Sequence, residues 1–67
     1  MSNPKLYQFI NEPEPTDAIY KKYIEELKGH NYYYDVSQIA RWTGKPRRSA
    51  RRHIKSLIKR NIMAERF

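Results

Sequence analysis

The sequence contains no cysteine and only two glycines and two histidines among its 67 residues. The lack of cysteine excludes disulfides, thiolate zinc sites, iron–sulfur clusters and cysteine nucleophiles. No apolar run approaches the ~20 residues that a membrane-spanning helix needs, and no signal-peptide pattern opens the chain. We therefore expect a cytoplasmic protein with no membrane association, stabilised by packing alone.

The small size argues against an enzyme. A chain of this length buries only roughly 60% of the surface that its unfolded form exposes, which leaves little volume for a catalytic cleft and its supporting residues. No carboxylate cluster has metal-ligand spacing, and no glycine-rich loop is present to hold phosphates. We expect no catalytic residues, no metal, no cofactor and no small-molecule ligand.

The charge is distributed unevenly. The net charge is +7, but residues 1–40 carry four lysines against six acids, whereas residues 41–67 carry ten Lys and Arg against one acid, Glu65. A solvated helix normally mixes both signs. Such segregation predicts one basic face, which is typical of a protein that binds a polyanion.

Residues 1–14 are predicted to form an N-terminal arm, followed by one folded domain at residues 15–67. The arm contains an apolar segment at residues 5–10, compatible with a short strand, and a proline-spaced stretch that excludes helix. The arm packs either on its own chain or across a dimer. The tyrosine-rich surface of the first helix is a candidate dimer contact. So are the apolar residues of the arm: Leu6, Tyr7, Phe9, Ile10.

Two helices are predicted in the first two thirds of the domain. The first begins with Thr16 as N-cap and Asp17 in its first turn, and Gly29 terminates it. Its apolar residues recur at three- and four-residue spacing, as a core-facing stripe does: Ile19, Tyr20, Tyr23, Ile24, Leu27. The second helix spans residues 36–43, between Asp35, in a capping box with Gln38, and Gly44.

A third helix is predicted from Pro46, at its first helical position, to Arg60. Ala50, Ile54, Leu57 and Ile58 lie on one side of it, and cations occupy the opposite side. Asn61 suits a left-handed position, and residues 62–67 alternate like a strand. The predicted fold class is all-α or mainly α with a short β element.

Residues 35–57 resemble the helix-turn-helix of the winged-helix family. The motif parts are a polar cap at Asp35, the pair Ile39-Ala40, the turn Thr43-Gly44, the pair Ser49-Ala50 and the later Leu57. The resemblance extends over residues 16–67 and implies a three-helix core with a strand after the third helix. The second strand and loop of the wing are missing, so the resemblance implies a chain truncated within the wing.

The resemblance implies double-stranded DNA as the partner, with the third helix in the major groove. Its early and middle outward positions then contact bases, here Arg47, Arg48, Arg51, Arg52 and Lys55. Candidate contacts to the DNA backbone are Ser37, Lys45, Ser49, Lys59, Arg60 and Tyr34. His53 is interpreted as a residue at the core boundary, Trp42 as core or dimer surface, and one or two of Tyr32, Tyr33 and Tyr34 as core.

Other functions are compatible with the same composition. Six tyrosines and a tryptophan beside basic residues are also found in RNA or single-strand binding proteins, and an acidic protein is another partner for a basic surface. A DNA-binding domain of this kind recruits a larger protein to a replication origin or an operator, as replication initiators of mobile elements and transcription regulators do. Pairing as a homodimer on repeated half-sites supplies specificity, and nucleoid association follows.

Overall fold

The computed structural model describes residues 5–28 and 32–66. The described chain contains three helices and one two-stranded antiparallel sheet. Strand β1 is Leu6–Phe9. Helix α1 consists of the α-helical turn Tyr20–Lys22 and the π-helical turn Tyr23–Leu27 that continues it. Helix α2 is Val36–Thr43, helix α3 is Arg47–Lys59 and strand β2 is Met63–Arg66.

The predicted bounds and caps of α2 are confirmed. The Asp35 carboxylate accepts a hydrogen bond from the backbone N–H of Gln38 at 2.9 Å, and the Gln38 side chain accepts one from the N–H of Asp35 at 3.1 Å. At the other end Gly44 adopts φ 69°, the left-handed conformation that favours glycine. Both ends of this short helix are therefore fixed by its own sequence.

Helix α3 confirms the predicted third helix, with one difference at each end. Pro46 occupies the N-cap with extended backbone rather than the first helical position, and the helix ends at Lys59. Asn61 has φ 62°, as predicted. The backbone N–H of Ile62 then donates to the carbonyl oxygen of Leu57 at 2.8 Å, which closes the helix and leads the chain into β2.

Helix α1 differs from its prediction. The chain forms turns at residues 15–19 and becomes helical only at Tyr20, so Thr16 is not its N-cap. The reason is that the Asp17 carboxylate accepts the N–H of Glu14 at 2.8 Å, which holds a turn ahead of the helix. Lys22 and Glu26 form an ion pair between neighbouring turns. Gly29, the predicted terminator, lies outside the described residues.

The apolar part of the predicted arm is a strand of its own chain's sheet. Leu6 pairs with Arg66 and Phe9 with Met63 in antiparallel register. On its other edge, Tyr7 exchanges two backbone hydrogen bonds of 2.8 Å with Tyr34. Strand β1 therefore lies between Tyr34 and β2, and it joins the segment before α2 to the segment after α3.

One hydrophobic core lies under all five elements. Its buried residues include one from each end of α1, two from α3 and two tyrosines at the sheet: Tyr7, Ile19, Leu27, Tyr34, Ile39, Ile54, Leu57, Ile62, Met63. Phe9 packs on Tyr23 with ring centroids 4.9 Å apart. Because Tyr7 is buried and Phe9 packs inward, the prediction that these two residues contact a dimer partner is wrong for this conformation; Ile10 remains exposed.

An ionic contact ties the end of α3 to the segment before α1. One Nη of Arg60 donates to Asp17 at 2.7 Å, and its other Nη lies 3.5 Å from Glu14. The Asp17 side chain is only 6% exposed. Burial works to raise the pKa of Asp17, but hydrogen bonds from Arg60 and Glu14 and the charges of Arg60 and His53 outweigh it, so the pKa is lowered. The folded state therefore favours the ionised carboxylate.

Leu57→Ala tests the core. Leu57 is fully buried, so the substitution removes apolar contacts and leaves a cavity, and we expect the free energy of unfolding to fall by about 2–5 kcal/mol. Ser56→Ala, at the exposed neighbouring position, is the control and should change it by less than about 0.5 kcal/mol. Urea unfolding measures both, and equal effects would contradict the assigned core face of α3.

Asp17→Asn tests the ionic contact. A lowered folded-state pKa contributes stability in full above the unfolded value of about 3.9, and that contribution is lost as the pH falls through the folded value. We therefore expect D17N to be less stable than wild type at neutral pH, with the difference narrowing in acid. Urea midpoints across that pH range measure this, and a difference that does not vary with pH would contradict the assignment.

Candidate nucleic-acid interface

Helix α3 has two faces of opposite character. Ala50, Ile54 and Leu57 are at most 1% exposed and lie against the core. The helix holds no acidic residue, and all six of its basic residues are exposed: Arg47, Arg48, Arg51, Arg52, Lys55, Lys59. Because burial of the apolar stripe fixes the rotation of the helix, it also fixes where these cations lie.

None of the cations of α3 forms an ion pair within the described part of the chain. Over residues 5–28 and 32–66, none of the six takes part in an ion pair or a side-chain hydrogen bond. All five predicted base-contacting residues belong to this set, as does the predicted backbone contact Lys59. The structure therefore brings these six together on one helix, as a positive surface open to solvent.

The structure adds a condition to the prediction for Arg60, which stays a prediction. Arg60 follows the last residue of α3, and its guanidinium is held by Asp17 and Glu14. A phosphate contact would require those two carboxylates to release it. The prediction came from the resemblance and the position of Arg60 along the third helix, neither of which can show an acid 43 residues away in the chain.

The prediction for Tyr34 is corrected. Tyr34 is 6% exposed and packs edge-on against Trp42, with ring centroids 4.8 Å apart. Burial is the main cause that raises the pKa of the Tyr34 hydroxyl, and the nearby Tyr32 raises it further. Tyr34 is thus a core residue rather than an exposed phosphate contact, whereas Tyr32 and Tyr33 are exposed at 64% and 52%.

The remaining predicted backbone contacts lie on α2, on α3 and between them. Ser37 is half-buried in the first turn of α2, and Ser49 is half-buried in the first turn of α3. Lys45 is exposed between the two helices, and its backbone N–H donates to the carbonyl oxygen of Ala40 at 3.1 Å. This bond fixes the turn, so the position of Lys45 relative to the start of α3 is defined by the backbone.

His53 lies on the inner border of α3. Its Nε2 is buried and has no hydrogen-bond partner among the described residues. Burial is the main cause that lowers the pKa of His53; Asp17 opposes this, and Lys45 and Arg60 add to it. A half-buried imidazole whose charged form is disfavoured by burial fits the interpretation of His53 as a boundary residue.

Sequence reasoning did not single out Lys5 and Glu65, which lie beside α3. They form an ion pair of 3.4 Å at the end of the sheet next to Arg51 and Lys55. The only local signal was the strand-like pattern of the two segments. Their pairing joins residues about 60 positions apart, which no local pattern predicts.

The described segments lack two further classes of site. These segments contain no group of three or more His, Asp and Glu side chains that could hold a metal ion. They also contain no helix of sufficient length and apolarity to cross a membrane. The exposed cations of α3 are accordingly the main candidate site of this part of the chain.

Comparisons with protein-family models, with curated proteins and with solved structures find no match to this chain. The function is therefore argued from the geometry and charge of α3 and its surroundings.

Proposed function

We propose that this domain binds double-stranded DNA through a helix-turn-helix formed by α2 and α3, with α3 in the major groove. The observation that carries the proposal is the set of six exposed cations on a helix whose other face is fixed in the core. A positive surface whose cations are not ion-paired within the described residues is suited to a polyanion, since binding it releases condensed counterions.

The dimensions of α3 suit a duplex. An α-helix with its side chains is about 10–12 Å wide, and the major groove of B-form DNA is about 12 Å wide. Thirteen residues of α3 give several successive outward positions. Four of these are arginines, which bind the O6 and N7 of guanine with two hydrogen bonds, a geometry that lysine lacks.

The arrangement around α3 supports the resemblance to winged helices. A left-handed glycine separates α2 from the turn before α3, and a strand follows α3 directly. The resemblance leaves β2 without the second wing strand as its partner. Here β1, from the start of the chain, pairs with β2 instead. The described sheet beside α3 is formed by these two strands.

The placement of the aromatic residues favours a duplex over single strands. A groove for single strands stacks bases on exposed rings beside cations. In this chain Phe9, Tyr23, Tyr34 and Trp42 pack on one another and on the core, and among the described aromatic residues only Tyr32 and Tyr33 are largely exposed.

For the wider role we propose recruitment of a larger protein to a replication origin or an operator, with nucleoid association as a consequence. A single reading helix covers few base pairs, so pairing on two half-sites is the expected source of specificity. Selection of bound duplexes from a random pool tests both points. Inverted or direct repeats would support a dimer, whereas pools without any enriched motif would contradict sequence-specific binding.

Arg48→Ala, Arg51→Ala and Arg52→Ala test base readout. If these side chains bind base edges, each substitution should weaken binding to the selected duplex by about 1–3 kcal/mol and relax the preference at one position. Fluorescence anisotropy with the selected duplex and with single-base variants measures this. Equal losses on selected and random duplexes for all three variants would contradict base readout by α3.

Lys59→Ala tests the end of α3. Lys59 lies at the last helical position, where a contact to phosphate is expected rather than one to a base. The variant should weaken binding to all duplexes alike, and the slope of log affinity against log salt should decrease by about 0.9. A changed base preference with an unchanged salt slope would contradict this role.

A further inference from the structure

A groove runs along one side of α3, between the helix and the sheet. Its volume is about 340 Å³. Arg51 and Lys55 of α3 line one side, and Lys5, just before β1, and Glu65 of β2 line the other. Tyr7, Ile54 and Ile58 complete the lining with apolar surface. The groove is thus rimmed by three cations and one carboxylate.

Two of these cations belong to the surface that the proposed function assigns to DNA. Arg51 and Lys55 are both exposed and project from the side of α3 that borders the sheet. The groove therefore continues the cationic face of α3 rather than forming a separate site. Any duplex that contacts α3 on this side also passes the opening of the groove.

We infer that this groove holds the sugar–phosphate backbone of one DNA strand and that Lys5 is an additional phosphate contact. The inference rests on the proposed function. Its chemistry matches the occupant, because deoxyribose offers an apolar edge to the half-buried Ile58, while Lys5 supplies a cation for a phosphate on the rim opposite α3. A DNA strand held in this groove lies along the side of α3, and its phosphate contacts fix the orientation of the duplex.

The Lys5–Glu65 ion pair sets how strongly the groove binds. The two side chains are 60% and 33% exposed, and exposed pairs of this kind contribute little to stability. Lys5 can therefore exchange Glu65 for a phosphate at small cost. Glu65 is the single acidic residue after position 40, and its carboxylate repels a phosphate in the same groove. The carboxylate thus lowers the affinity that Lys5 provides.

Lys5→Ala and Glu65→Gln are the test variants. At about 100 mM salt, loss of one phosphate contact should weaken duplex binding roughly three- to eightfold and lower the salt slope by about 0.9. Removing the carboxylate should strengthen binding by about two- to fivefold. Lys21→Ala, an exposed lysine of α1 outside the groove, makes the same change of net charge as Lys5→Ala and should change affinity by less than about twofold.

Fluorescence anisotropy on random and selected duplexes gives the affinities, and thermal unfolding confirms that each variant is folded. Equal effects of Lys5→Ala and Lys21→Ala would overturn the inference and leave only a net-charge effect. So would Glu65→Gln without any gain in affinity. The Lys5→Ala, Glu65→Gln double variant separates the effects of the two residues on duplex affinity. Without Lys5, Glu65→Gln should still raise the affinity by the amount that comes from removing the repulsion between the carboxylate and a phosphate.

Failure of the groove and failure of the proposed function give different results. If the wild-type chain binds no duplex at low salt, the proposed function itself fails. If it binds, and the α3 arginine variants lose affinity while Lys5→Ala does not, only the groove is wrong. Stronger binding of an acidic peptide than of a duplex, with the same dependence on Lys5, would assign the groove to a protein partner and overturn the inference.

Discussion

Burial of the apolar stripe of α3 is the contact on which the rest of the structure depends. Ala50, Ile54 and Leu57 are buried, and Ile54 and Leu57 belong to one core cluster with residues of both strands and of the other two helices. A helix with so many like charges on one face gains nothing from that face when it folds, and mutual repulsion opposes its formation. The core contacts therefore have to outweigh the repulsion. The same contacts fix the direction in which the cations project.

The sheet completes this arrangement by joining the two ends of the described chain. Strand β1 pairs with β2 and, through Tyr7, with the segment that leads into α2. It thereby fixes the start of α2 and the end of α3 relative to each other. It also places Lys5 and Glu65 beside α3. One short strand thus serves the core, the helix-turn-helix geometry and the charge of the groove.

Local signals in the sequence predicted much of this fold. The capping box of Asp35 and Gln38, the left-handed Gly44 and Asn61, and the period of the stripe in α3 all involve residues close in sequence. Their physics is local, so spacing alone predicts them. The same helical period also predicted that the cations of α3 are exposed.

The errors involve contacts between distant residues. Asp17 has the residue type of a first-turn helix acid, but its partner Arg60 lies 43 positions away and the helix begins later than predicted. The hydroxyl of Tyr34 is a group that can bind phosphate, but backbone pairing with Tyr7 and packing on Trp42 bury this residue. Tertiary contacts decide such cases, and a single sequence does not display them.

The most direct test of the central claim is a two-dimensional ¹⁵N NMR titration of the full chain with a duplex selected from a random pool. The account predicts that shift changes at saturation concentrate in α3, Arg47–Lys59, and in the arginine side-chain N–H signals, with small changes in α1. Changes centred on Tyr32 and Tyr33, or none at low salt, would contradict it.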